Sequence, residues 1–165
     1  MSTTPLLFYR ERDQFGCFSN FKKARIIVDG QEFVCNEQYI MYMKARLFND
    51  HVIAQKILQT SDPMKIKAYG REIKGFDEQI WTQNREKIAD QCNRAKFTQN
   101  EDLKKILLST GDVLIAEASP NDKIWGIGVD TVVGKDINKW KGLNILGQSL
   151  MRIRQEISST YKNNQ

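Results

Sequence analysis

The sequence predicts a single α+β domain, predominantly helical, with a small antiparallel sheet. Three observations carry this reading. An Asp29-Gly30 pair separates two β-prone runs, 24–28 and 31–34, which is a strong short-range hairpin signal. Beyond the hairpin most segments repeat apolar residues at helical spacing, bounded by capping or stop residues. The 165 residues suffice for one core and contain no linker, internal repeat or low-complexity stretch. The domain is therefore expected to occupy residues 1–165, with an ordered core over about 6–157 and a polar C-terminal tail.

Taken in order, Met1-Ser2-Thr3-Thr4-Pro5 is a short polar start, and Leu6-Leu7-Phe8-Tyr9 reads as a buried strand. A polar, turn-like segment leads into Gly16-Cys17-Phe18-Ser19-Asn20-Phe21, and the hairpin follows. Residues 36–48 then form a helix that is apolar almost all round, through Tyr39, Ile40, Met41, Tyr42, Met43, Ala45, Leu47 and Phe48. Such a helix belongs in a domain interior. Asn36 suits its N-cap, and Glu37 in the first turn suits its dipole.

A second helix, 52–59, puts Ile53, Ala54, Ile57 and Leu58 on one face. Asp62-Pro63 is a cap followed by proline at the first helical position; that helix is read to Tyr69, with Gly70 as its stop. Asp77 caps a longer helix carrying Ile80, Trp81, Ile88, Cys92 and Ala95, near whose end Lys96 complements the dipole. Residues 101–110 are helical with Leu103, Ile106 and Leu107 inward and Gly111 as the stop, and 113–117 is a strand. The connection 119–141 is rich in Gly, Asp and Asn, and loops of that length are disproportionately functional. The last helix starts near Asn144 and uses Leu146, Leu150, Ile153 and Ile157; the polar residues after Ser158 read as frayed.

Composition excludes several classes. There is no apolar run of the roughly 18 residues a membrane helix needs and no charged-then-apolar leader, so a soluble, cytoplasmic protein without a membrane partner is expected. Cys17, Cys35 and Cys92 are odd in number and widely spaced, which does not make a disulfide framework. With His51 as the one histidine and no C-x-x-C pair, neither a metal site nor a Cys–His nucleophile is expected. Walker, H-E-x-x-H and G-x-S-x-G motifs are absent. The formal charge of +5 comes in small basic groups, compatible with a solvated surface and with a phosphate-bearing ligand or nucleic acid.

Candidate chemistry centres on Glu37 and Lys44, which share one face of the interior helix, seven residues apart. Their offset of roughly 10 Å is too long for a helical ion pair and leaves room for a sugar ring between carboxylate and amine. Both side chains snorkelling to water is the plain alternative. In the long connection, Asp122-Lys123-Ile124-Trp125-Gly126-Ile127-Gly128 joins an aromatic platform to glycines that admit a ligand, though core tryptophans and turn glycines look the same. Arg71, after Gly70, suits either a phosphate or plain solvent exposure, and Trp81 suits either the core or the wall of a base pocket.

Several stretches, in this order and spacing, resemble the NADAR family. They are Phe18-Ser19-Asn20-Phe21, Glu37-Gln38-Tyr39 with Lys44-Ala45, Gly70-Arg71, Trp81 followed by Asn93-x-Ala95-Lys96-Phe97, and Gly111-Asp112. Further on come Glu117-Ala118-Ser119-Pro120 with Asp122-x-x-Trp125-Gly126-Ile127-Gly128, then Trp140-x-Gly142-x-Asn144-x-Leu146-Gly147; together they span about 8–157. The resemblance implies an N-glycosidase that cleaves a ribose C1–N bond without a cofactor. The substrate it implies first is ADP-ribose attached to guanine in nucleic acid. A second is a phosphoribosylamino-pyrimidine intermediate of riboflavin synthesis. A non-catalytic module that binds ADP-ribose or a related nucleotide is the alternative of another class. Lys44 falls on the family's covalent lysine and Glu37 on the accompanying acid. The same comparison suggests Asn20 for a sugar hydroxyl, Arg71 for a phosphate, Asp122 for ribose or base, and Trp81, Trp125 and Gly126 for the walls. Position 38 is Gln or His in the family; here it is Gln38. Oligomeric state is not legible in the residues.

Overall fold

The structure is a computed structural model that describes residues 4–165, so the first three residues of the polar start lie outside it. The architecture is α+β and predominantly helical, and the chain divides into two compact units, residues 20–99 and the flanking segments up to Ser19 and from Asn100.

In the unit formed by residues 20–99, strands β2 (Lys23–Val28) and β3 (Gln31–Cys35) form the expected antiparallel hairpin, Val28 opposite Gln31 and Ile26 opposite Phe33. Asp29 and Gly30 both take positive φ, 50° and 80°, as a two-residue turn matched to strand twist requires. Helix α1 (Asn36–Leu47) follows without a loop and is the hub of the unit, packing on α2 (His51–Leu58), α3 (Pro63–Arg71), α4 (Glu78–Gln99) and β3. Tyr39, Ile40, Met41 and Ala45 are buried, as the all-round apolar pattern anticipates.

Two expectations about this unit need correction. Cys35, not Asn36, is the N-cap of α1; Asn36 is already helical, and its fully buried amide donates to Asn20 Oδ1 (3.1 Å) and Asn93 Oδ1 (2.8 Å). Those long-range acceptors take the side chain that would otherwise cap the helix. Gly70 does not stop α3, which continues through Arg71 to its C-cap Glu72. It is buried in the helix because a Cβ there would run into the Met41 side chain of α1, so the glycine serves close helix approach rather than a turn. The left-handed glycine is Gly75, φ 78°, in the link to α4.

In the other unit, β1 (Leu6–Phe8) pairs in parallel with β4 (Ile115–Glu117), Leu6 opposite Ile115, a pairing the sequence reading did not anticipate. Helix α5 (Glu101–Ser109) packs on α6 (Ile145–Asn163), and α6 packs on β4. Helix α6 continues past Ser158 to Asn163, where the sequence suggests fraying: Thr160 Oγ1 donates to Glu156 O (3.0 Å), and Lys104 lies over the Tyr161 ring (5.2 Å). Among the described residues no helix is long and apolar enough to cross a membrane.

Candidate active site

The antiparallel crossing of α1 and α4 builds the site. Asn36 Nδ2 meets Asn93 Oδ1 near one end, Tyr39 Oη donates to Gln91 Oε1 (3.1 Å) in between, and Lys44 meets Trp81 near the other. Gln38 ties the start of α1 down from three sides: it accepts from Val34 N (2.8 Å) and donates to the carbonyls of Ile57 and Thr60 (3.0 Å each). Buried polar side chains satisfied in this way fix a helix at one position and rotation.

Glu37 is buried, 9% exposed, and its backbone N–H donates to the Asn20 carbonyl (2.9 Å). Asn20 thus sits in the site unit, but its carbonyl and Oδ1 both hold the start of α1, which makes it a support for Glu37. Glu37 and Lys96 act electrostatically on the same two thiols, Cys35 and Cys92, so these opposite charges share one neighbourhood. Lys96 is itself fully buried, which a simple dipole-complementing lysine would not be.

Lys44 is half-buried, and its Nζ donates to the Gly70 carbonyl (3.2 Å). The amine lies over the Phe76 ring at 4.7 Å and the Trp81 ring at 5.5 Å, and Phe76 is braced edge-on by Phe48. Among the described residues it makes no ion pair. Burial pulls the Lys44 ammonium below the usual lysine range, and the charge of Glu37 partly restores it. The two rings favour the cation and so oppose the effect of burial.

Of the other expected residues, Trp81 is buried beside Lys44, and Arg71 is exposed one residue after the carbonyl that Lys44 touches. Asp122, Trp125 and Gly126 lie in the other unit and form a cluster of their own. Asp122 Oδ1 accepts from Ile124 N (3.0 Å) and Trp125 N (2.9 Å), closing a turn that presents the half-buried indole. A Cβ on Gly126 would meet the Glu117 carbonyl at 2.8 Å, so chain packing itself calls for a glycine there. Sequence reasoning missed Phe76, the Gly70 carbonyl and the burial of Lys96; the one available signal was an aromatic residue just before the Asp77 cap of α4.

Competing chemistries find little here. Burial raises the Cys35 thiol and pushes the Cys92 thiol far above its usual range, which removes the thiolate a nucleophile needs. Tyr39 is pushed up to about 12 by burial, so it is a donor, not a base. Among the described residues no group of three or more His, Cys, Asp or Glu side chains is placed to hold a metal.

The NADAR domain model matches residues 7–158. N-glycosidase R617 of Acanthamoeba polyphaga mimivirus is 46% identical over 139 residues, covering 83% of this chain and 82% of that protein. N-glycosidase YbiA of Escherichia coli (strain K12) is 32% identical over 158 residues, covering 96% and 91%. The NMR structure of the E. coli protein YbiA superposes with a TM-score of 0.80 at 31% identity, covering 98% of this chain and 89% of that one.

Proposed function

The chain belongs to the NADAR domain family, and from that premise we propose that it is an N-glycosidase hydrolysing the bond between a ribose C1 and a nitrogen. The N-glycosidases among its relatives support the reaction class. The observation that carries the residue assignment is the state of Lys44: a partly desolvated amine that makes no ion pair among the described residues, on the same helix as a buried carboxylate.

The chemistry follows from that pair. Glu37, resting as the carboxylate and taking up one proton from solvent for this step, gives that proton to the ribose ring oxygen; the C1–O bond breaks and the glycosidic nitrogen's lone pair forms a C1=N iminium. The free Lys44 amine adds to C1 and loses a proton to the departing nitrogen, whose bond to C1 then breaks. The sugar stays as a Schiff base on Lys44. Water adds to that C=N bond, the amine leaves and gives its extra proton back to solvent, and the released aldehyde closes to ribose. Net change is one water consumed per C–N bond, with both side chains regenerated. The mechanism needs lysine without its proton at working pH, and burial moves Lys44 in that direction.

The substrate we assign is ADP-ribose on a guanine base in nucleic acid, which the net charge of +5 favours by attracting a polyanion. Guanine-ADP-ribosylated DNA and a phosphoribosylamino-pyrimidine, offered side by side, test that choice by relative turnover. Borohydride added during turnover should trap a ribose-bearing adduct on Lys44. Lys44→Ala should bind substrate and not cleave it. Unchanged turnover in that variant refutes the nucleophile, and tight ADP-ribose binding by wild type without any cleavage identifies a binding module instead.

A further inference from the structure

One buried cation plays no part in the chemistry above. The inward stripe of α4 carries Trp81, Arg85, Ile88, Ala89 and Cys92, and all are buried. Arg85 is 8% exposed, its Nε has no hydrogen-bond partner, and among the described residues it makes no ion pair. A guanidinium does not escape burial by becoming neutral, and it carries donors that a planar anion matches in pairs. A buried donor left unmatched is rare in a folded chain and marks a group whose partner comes from elsewhere.

Its position on the helix indicates which partner. Asn36–Asn93 and Lys44–Trp81 are contacts where α1 crosses α4, and Arg85 lies between them in sequence. It is four residues from Trp81 and eight from Asn93, about 6 Å and about 12 Å along the axis. Arg85 is therefore level with the Glu37–Lys44 gap, toward its lysine end. A ribose with C1 at Lys44 carries its C5 substituent on C4, across the ring oxygen from C1. Arg71, by contrast, is exposed.

We propose that Arg85 holds the phosphate on C5 of the ribosyl substrate, completing inside the site the hydrogen bonds its guanidinium lacks in the chain. The proposal rests on the N-glycosidase reading for the placement of C1. It applies to a phosphate monoester and to a diphosphate ester alike, because both present anionic oxygens at that carbon. Phosphorylation of the ribose then becomes a condition for tight binding, which would spare unphosphorylated nucleosides.

Calorimetric titration with ribose 5-phosphate tests this. Wild type and Lys44→Ala should bind it, and Arg85→Gln should bind it about ten- to a hundredfold more weakly, the usual worth of a charged hydrogen bond. Arg85→Lys should recover only part of the loss, since an ammonium lacks the fork. Equal affinity in Arg85→Gln, or no binding by wild type, overturns the proposal. Should Arg85→Gln fail to fold, 15N-labelled wild type gives the answer: the Arg85 Nε–H resonance should move on saturation with ribose 5-phosphate, and a resonance that stays put refutes the assignment. Failure of the N-glycosidase reading is separately visible, as absence of cleavage of any N-glycoside while ribose 5-phosphate binding still depends on Arg85.

Discussion

Replacing Gly70 by alanine tests the helix contact that positions Lys44. Two effects oppose each other. In a helix interior, Gly→Ala stabilises by about 1 kcal/mol through backbone entropy. The new methyl, however, meets Met41 Sδ head-on and Met41 Cγ at 3.1 Å, and Met41 is itself buried. Overpacking of that kind costs about 1–3 kcal/mol. The net is a loss of about 0–2 kcal/mol, with about 1 kcal/mol as the central value. Urea unfolding of wild type, Gly70→Ala, Met41→Ala and the double variant reads it directly. With the Met41 side chain gone, Gly70→Ala should change sign and stabilise by about 1 kcal/mol, so the cycle should show about 2 kcal/mol of coupling. The substitution also pushes α3 away from α1 and displaces the carbonyl that holds the lysine amine, so turnover should fall with it. Stabilisation of wild type by the full alanine propensity, with no coupling to Met41, would refute the described packing.

Other predictions concern charge and backbone. Glu37 holds the Lys44 ammonium up while burial lowers it, so Glu37→Gln should move the rising limb of the pH–rate profile to lower pH as its plateau drops; a limb that stays in place contradicts the coupling. Asn144 combines a left-handed φ of 55° with a side chain that accepts from Glu117 N (3.2 Å) and donates to Ile115 O (3.0 Å). Both Asn144→Gly and Asn144→Ala lose that clasp, but alanine adds about 1 kcal/mol of left-handed strain, so its urea midpoint should be the lower of the two.

What could be read from the residues divides by range. The hairpin was legible because Asp29-Gly30 is chemistry confined to two neighbouring residues. The start of α4 was legible for the same reason, with Asp77 Oδ1 capping Ile80 N as its residue type suggests. The parallel β1–β4 pair was not, since nothing local joins Leu6 to Ile115 across the length of the chain. Gly70 shows why a residue type can mislead. A helix-stop glycine and a close-packing glycine are identical in sequence, and the deciding atom belongs to Met41 on another helix. For the candidate site, Glu37 and Lys44 stood out from apolar surroundings at helical spacing, whereas the burial of Arg85 and Lys96 and the place of Phe76 depend on which face of α4 and its preceding link turns inward.

The two lysines associated with Glu37 show how the fold separates structure from chemistry. A buried carboxylate without an opposite charge nearby would take up a proton or resist burial. Lys96, which acts on the same two thiols as Glu37, brings a positive charge into that neighbourhood from a fully enclosed position over the Phe97 ring, 5.3 Å from its centroid. Lys44 has the opposite balance. It is desolvated enough for its ammonium to be weakened, yet half-open, and among the described residues its amine bonds a neutral carbonyl that does not compete for the amine lone pair. The Schiff-base mechanism proposed above requires this asymmetry, because a cation beside the proposed acid has to keep its proton while the proposed nucleophile has to lose one. Had Lys44 been the counter-ion of Glu37, the ion pair would have held it protonated and idle. The seven-residue spacing prevents that pairing along α1, and Lys96 on α4 makes it unnecessary.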